Sequence, residues 1–114
     1  MPKRDLELYL QDILDSILAI EEYVDGLDIE RFKNDRKTYS ATIREFEIIG
    51  EAVGNIIDEE IIKNSDNISW RDIKDFRNIL IHEYFGVDVE IVYNTIKQDL
   101  PPLKNEIVNI INIS

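Results

Sequence analysis

Residues 6–27, LELYLQDILDSILAIEEYVDGL, carry apolar side chains at alternating steps of four and three residues. The positions are Leu6, Leu10, Ile13, Ile17, Ile20, Val24 and Leu27. This spacing places them along one side of an α-helix, because four-and-three steps follow the helical turn. The segment therefore predicts a long amphipathic helix, with Gly26 near its end.

A second helix is predicted from about Thr38 to Ile57, and no segment alternates in the manner of a strand. Its apolar stripe consists of Tyr39, Ile43, Phe46, Ile49, Val53 and Ile57. The preceding residues 28–35, DIERFKND, are typical of a connector with room for one short helical turn. The following residues 58–64, DEEIIKN, either extend the second helix or form a separate turn.

Two more helices and a terminal segment follow. The third helix is predicted to begin after Ser69, a suitable N-cap, and to stop at Gly86, which tolerates the left-handed conformation of helix ends. Asp88 offers a cap for the fourth helix. Pro101 and Pro102 interrupt or kink the chain before a C-terminal helical segment.

The predicted fold is all-α, an antiparallel up-and-down bundle of four main helices plus the C-terminal helical segment. Residues 1–114 suffice for one hydrophobic core and are expected to form a single domain. Gly50 and Gly54 lie inside the second helix, where each weakens it by roughly 1 kcal/mol relative to alanine. Their spacing therefore indicates that another helix approaches closely.

Composition is that of a soluble globular protein and argues against general nucleic-acid binding. The chain has 13 basic and 24 acidic side chains, a formal net charge of −11, so that an RNA-directed role would need a local basic site or one assembled from two chains. The absence of cysteine excludes disulfides and thiolate metal sites. No apolar run resembles a signal peptide or a membrane span, so we expect a cytoplasmic protein without a membrane partner.

Residues 76–85, FRNILIHEYF, place the only histidine of the chain, His82, in a largely apolar run. Successive helix positions turn by about 100°, so Arg77 and Tyr84 return to nearly the same face, whereas His82 lies about 140° from Arg77. A regular helix therefore does not aim Arg77 and His82 at one point. Either the helix loosens near residues 83–86, or an arginine and a histidine meet across an interface between two chains.

Each polar residue of this run also has a structural explanation. A histidine near a helix C-terminus interacts favourably with the helix dipole, as His82 would. An arginine in an apolar run often extends its charged end to the surface or forms an ion pair, for which Asp75 and Glu83 are available to Arg77. Tyr84 alone would fit a core or an interface.

The run RNILIHEY, Arg77 to Tyr84, resembles in full the Arg-x4-His-x-Tyr motif of the HEPN superfamily, in its HepT-like toxin branch. Further blocks resemble that branch in the same order. They are Tyr9-Leu10-Gln11-Asp12-Ile13-Leu14, Ile49-Gly50-Glu51-Ala52, Ile68-Ser69-Trp70 and Tyr84-Phe85-Gly86-Val87-Asp88. An isolated arginine and histidine at this spacing occur by chance, whereas these blocks together span nearly the whole chain and are specific.

The resemblance implies a homodimer that cleaves RNA without a metal ion or other cofactor. In the family, the motif arginine and histidine of two subunits face one another in a cleft, and Arg77 and His82 are the matching positions. Asn78 stands where the family often has a polar residue and is expected to help hold RNA or the catalytic groups. The residue types suit cleavage by the ribose 2′-OH, because histidine transfers protons near neutral pH and arginine holds phosphate oxygens.

The resemblance also implies a protein partner, since the toxin is commonly paired with a minimal nucleotidyltransferase antitoxin that transfers AMP to the motif tyrosine, here Tyr84. A nucleotide at this position would obstruct the cleft and add negative charge. Two alternatives stand beside this interpretation. One is a noncatalytic HEPN-type binding or dimerisation partner of a nucleotidyltransferase. The other is a metal-dependent hydrolase that uses Glu45, Glu47 and Glu51.

Overall fold

The computed structural model describes the backbone of residues 1–82 and 88–113 and, except at residues 81 and 82, their side chains. Within these ranges the chain forms seven helices and no strand. The helices are α1 (Lys3–Val24), α2 (Ile29–Asn34), α3 (Arg36–Ile56), α4 (Glu60–Lys63), α5 (Trp70–His82), α6 (Val89–Gln98) and α7 (Leu100–Ile113). The predicted all-α bundle is confirmed, with α1, α3, α5 and α6 as the main helices and α7 as the terminal one.

The end of α1 and the starts of α2 and α3 follow from local backbone chemistry. After α1 the chain reaches Gly26, whose φ of +75° lies in the left-handed region that favours glycine. Asp28 caps α2 by accepting a hydrogen bond from the backbone N–H of Arg31 at 2.9 Å. Asp35 caps α3 in the same way, accepting from the N–H of Thr38 at 3.0 Å. The predicted connector therefore contains its one short helix.

The later boundaries also match the sequence patterns. Residues 58–64 contain the separate helix α4 (Glu60–Lys63) and do not extend α3, and α5 begins directly after Ser69. Asp88 caps α6 by accepting from the backbone N–H of Glu90 at 2.9 Å. Pro101 and Pro102 lie in the first turn of α7, where the N–H groups have no intrahelical acceptor and proline is tolerated. The predicted stop at Gly86 lies outside the described residues.

The core is centred on α3, which packs against α1 on one side and α5 on another, while α7 packs against α1 and α6. The predicted stripes of α1 and α3 supply much of it. Their buried members are Leu10, Ile13, Ile17, Ile20, Val24, Ile43, Phe46, Ile49 and Val53. None of the described helices combines the length and apolar character needed to cross a membrane. Because α3 is held by α1, it forms a fixed surface for α5.

The carboxylate of Glu45 joins α3 to α1, a contact that the sequence patterns did not predict. The buried Ser16 hydroxyl donates to Glu45 Oε1 at 3.0 Å, and the Tyr23 hydroxyl donates to Glu45 Oε2 at 3.0 Å. The hydrogen bond to Glu45 and the negative charge of that carboxylate raise the pKa of Tyr23 above its ordinary value. Both effects favour the neutral phenol, which can donate to Glu45.

This contact predicts a loss of stability at alkaline pH. Because the pKa of Tyr23 is higher in the folded than in the unfolded chain, its contribution is complete below about pH 10 and is lost as the pH rises through the folded-state pKa. We expect the free energy of unfolding to fall more steeply above pH ~10 in the wild type than in Tyr23→Phe. Urea unfolding followed by circular dichroism measures this, with Tyr9→Phe on the same helix as the control. Equal slopes for wild type and Tyr23→Phe would contradict the prediction.

Candidate functional site

The helix that carries the motif, α5, is fixed at both ends of its described part. At its start, the Trp70 indole N–H donates to the backbone carbonyl of Ser65 at 2.9 Å. In its middle, the Phe76 ring meets the Phe46 ring of α3 edge to face, with centroids 5.4 Å apart. Near its end, Leu80 is 1% exposed. These contacts determine which side of α5 lies against α3.

On that side, α5 crosses α3 at the point where Arg77 meets Gly50. A Cβ atom added to Gly50 would overlap Cβ of Arg77 and lie 2.7 Å from its Cγ and 3.5 Å from its Cα. The absence of a side chain at Gly50 is therefore what lets the two helices meet at this point. One turn later, Gly54 faces the stem of Lys74 at ordinary van der Waals distance, with Cε 3.8 Å from the added Cβ. The predicted close approach is confirmed and is tightest at Gly50.

The guanidinium of Arg77 leaves this contact towards Asn78. Its Nη1 donates a long hydrogen bond of 3.5 Å to Asn78 Oδ1, and Asn78 is exposed. Its Nε is buried and has no hydrogen-bond acceptor among the described residues. Arg77 forms no ion pair with any of them either, so the suggested pairing with Asp75 is wrong, while Glu83 lies outside the described residues. The stem is thus enclosed, and within the described chain the charge is unpaired.

The other two predicted site residues lie at or beyond the limit of description. His82 is the last residue of α5, but its side chain, like all of Tyr84, lies outside the described residues. On a regular helix the position of His82 is about 40° from that of Asn78 and about 140° from that of Arg77. Asn78 lies between Arg77 and His82 around the helix. The guanidinium of Arg77 extends to Asn78 and so points towards the side of the helix on which position 82 lies. The structure brings the Arg77 guanidinium and the Asn78 side chain together, which helix positions alone did not predict.

The carboxylates of the metal-dependent alternative do not form a common site. Glu45 accepts hydrogen bonds from two hydroxyl groups of α1, and Glu47 lies 3.6 Å from Arg44 in an ion pair. Glu51 is exposed. Across residues 1–82 and 88–113, excluding the side chains at 81 and 82, no three His, Cys, Asp or Glu residues are grouped as metal ligands would be. The described residues therefore do not form the carboxylate cluster that the metal-dependent alternative requires.

A cleft of about 420 Å³ lies between α3, α5, α6 and α7, and neither Arg77 nor Asn78 is among its described lining residues. Its lining is mainly apolar and includes Phe46 and Phe76. The charged residues that line it are Asp72 and Asp99, each at the start of a helix where a carboxylate is favourable. Since no lysine or arginine is among the described lining residues, the surface around Arg77 is the better candidate for binding phosphate.

The contrast between the two glycines gives a matched pair of variants. Gly50→Ala gains helix propensity but forces a methyl group into Arg77, so we expect a net loss of about 1–2 kcal/mol in the free energy of unfolding. Gly54→Ala has room for the methyl group and should gain about 0.5–1 kcal/mol. Urea unfolding measures both. A Gly50→Ala chain as stable as Gly54→Ala would show that the contact with Arg77 is not tight.

Comparison with known proteins shows the family to which the chain belongs. The family model described as "Ribonuclease HepT-like" matches residues 13–110. A protein of Thermococcus cleftensis named "Probable ribonuclease HepT" is 43% identical over 104 residues, covering 91% of this chain and 94% of the relative. One of Methanocaldococcus jannaschii named "Putative RNase MJ1380" is 37% identical over 107 residues, covering 94% and 97%. No solved structure gives a significant match. The chain belongs to the HepT-like family of the HEPN superfamily.

Proposed function

We propose that this chain is the endoribonuclease toxin of a toxin–antitoxin pair, and that it cuts RNA at a site built from Arg77 and His82 of two copies. The observation that carries the proposal is the packing of the Arg77 side chain and its lack of a described ion-pair partner. Its stem is enclosed at Gly50, while its guanidinium reaches exposed Asn78 and pairs with no described carboxylate. Such a cation is held in place for an anion that the described residues do not provide. The names of both relatives support RNA as the substrate.

The proposed reaction needs no group beyond these side chains. His82 of one copy takes the proton from a ribose 2′-OH, whose oxygen bonds to the adjacent phosphorus, and the bond from phosphorus to the 5′-oxygen breaks. His82 of the other copy returns a proton to that leaving oxygen. The products are a 2′,3′-cyclic phosphate and a free 5′-OH. Arg77 binds the non-bridging oxygens, where negative charge grows in the transition state.

A second copy supplies what one chain lacks. One chain contains one histidine, whereas the reaction uses a base and an acid. Two copies also double the cations of the site, which matters in a chain with a net charge of −11. Ile79, beside Asn78 on α5, is 49% exposed and provides an apolar contact for such a pairing. We therefore propose a homodimer that joins through this face of α5.

The first test is cleavage without metal. Purified protein in EDTA should cut single-stranded RNA, and His82→Ala should lower kcat by about 10²–10⁴-fold because it removes the proton-transfer group. Arg77→Ala should also be strongly impaired, whereas Arg71→Ala, at an exposed arginine of the same helix, should cut at the wild-type rate. Rates are measured on a labelled oligonucleotide. Undiminished cleavage by His82→Ala would remove that residue from the proposed site.

The second test concerns the antitoxin. We propose that a nucleotidyltransferase partner silences the toxin by transferring AMP from ATP to Tyr84, which blocks the site and brings a negative phosphate to it. After co-expression with that partner, mass spectrometry should show the addition of one AMP in the wild type and in the control Tyr23→Phe, but none in Tyr84→Phe. Addition that persists in Tyr84→Phe would place the modification elsewhere. A stable complex without cleavage or modification would favour the noncatalytic binding function.

A further inference from the structure

The two glycines of α3 each face a cation of α5. Gly50 meets the stem of Arg77, and a Cβ on Gly54 would lie 3.8, 3.9 and 4.0 Å from Cε, Cδ and Cγ of Lys74. The four-residue spacing on one helix thus matches the three-residue spacing on the other. The glycines form a shallow groove in α3, and two long basic side chains lie along it. A lysine stem placed this way carries its charge outward along the seam between the helices.

Lys74 shares the electrostatic situation of Arg77. It is half-buried, and no described carboxylate lies within ion-pair distance of its Nζ. Glu47, on the facing helix α3, is paired with Arg44 instead. Residues three apart on a helix have Cβ atoms about 5–6 Å apart, so the two unpaired cations are neighbours on one surface. Arg77 and Lys74 therefore place two positive charges side by side in an otherwise acidic chain.

We propose that Lys74 is a phosphate-binding residue that holds the RNA backbone next to the phosphate at Arg77. The inference rests on the proposed function and adds a binding position to it. A lysine ammonium is a compact charge that suits electrostatic contact with a phosphate, whereas arginine suits two-pronged contact with the reacting group. Lys74 therefore strengthens substrate binding in a manner independent of base identity and takes no part in bond breaking.

The test measures binding of the full-length protein to a single-stranded RNA oligonucleotide with 2′-O-methyl groups, which lacks the attacking hydroxyl and stays intact. Each phosphate contact to a single strand contributes about 0.7 to the slope of log affinity against log salt. Lys74→Met keeps an unbranched stem over Gly54 without the charge, and Lys74→Gln is a second neutral variant. Both should reduce the slope by about 0.7 for each Lys74 of the dimer that contacts the strand, and Lys74→Arg should retain it. On cleavable RNA, the neutral variants should raise KM and leave kcat unchanged.

The matched control is Lys97→Gln, which removes a cation that lies 5.3 Å from the Tyr93 ring centroid on α6. It should leave the slope at its wild-type value. An unchanged slope in the neutral Lys74 variants would overturn the proposal, and so would an equal reduction in Lys97→Gln, which would show a general charge effect. Failure of the wild-type protein to bind RNA would instead overturn the proposed function itself. Urea unfolding of each variant verifies that the fold is intact.

Discussion

The contact between Gly50 and Arg77 is the constraint on which the site depends. A glycine inside α3 costs roughly 1 kcal/mol of helix propensity, yet any larger residue would overlap the arginine stem. The contact therefore sets both the distance between α3 and α5 and the point from which the guanidinium emerges. A charged group held by helix packing loses little conformational freedom when an anion binds, which is the advantage of a preorganised site.

The surrounding core makes this constraint effective. Hydrogen bonds from two α1 hydroxyls to Glu45 and the buried seam between α1 and α3 hold α3 from behind. The edge-to-face pair of Phe46 and Phe76 holds α5 from the front. Stability and site geometry are therefore coupled, because a change that shifts α3 also shifts the base of Arg77. The acidic composition has a related consequence. Because a net charge of −11 repels RNA on average, we propose that RNA binds at the cations along the seam between α3 and α5.

The periodicity of apolar residues was sufficient to predict the helices and most of their buried faces, because a helical stripe records which side meets the core. Ser69 and Asp88 before a helix and Gly26 after one predicted boundaries for equally local reasons, whereas the caps Asp28 and Asp35 were not predicted. Tertiary partners were less accessible. The spacing of Gly50 and Gly54 indicated a close approach, but only the packing of α3 on α5 identified Arg77 and Lys74 as the residues opposite them.

Residue spacing gives the positions of side chains along a helix but not the positions of their functional groups. Glu45, Glu47 and Glu51 lie close in sequence, but the turn of the helix directs Glu45 to hydroxyls of α1 and leaves Glu47 beside Arg44. The 140° offset between Arg77 and His82 is correct for helix positions. It does not give the position of the guanidinium, because the long arginine side chain extends to Asn78. Spacing describes where side chains begin, whereas chemistry depends on where they end.

In the proposed mechanism, one active site is shared by two chains. The most direct test is a mixed dimer of one wild-type chain and one His82→Ala chain, isolated through a different affinity tag on each. If the two histidines act as base and acid of one reaction, the mixed dimer should cleave RNA at well under a tenth of the wild-type rate, since loss of either group costs about 10²–10⁴-fold. A mixed dimer with half the wild-type rate would show that each chain contains a complete site and would contradict the account.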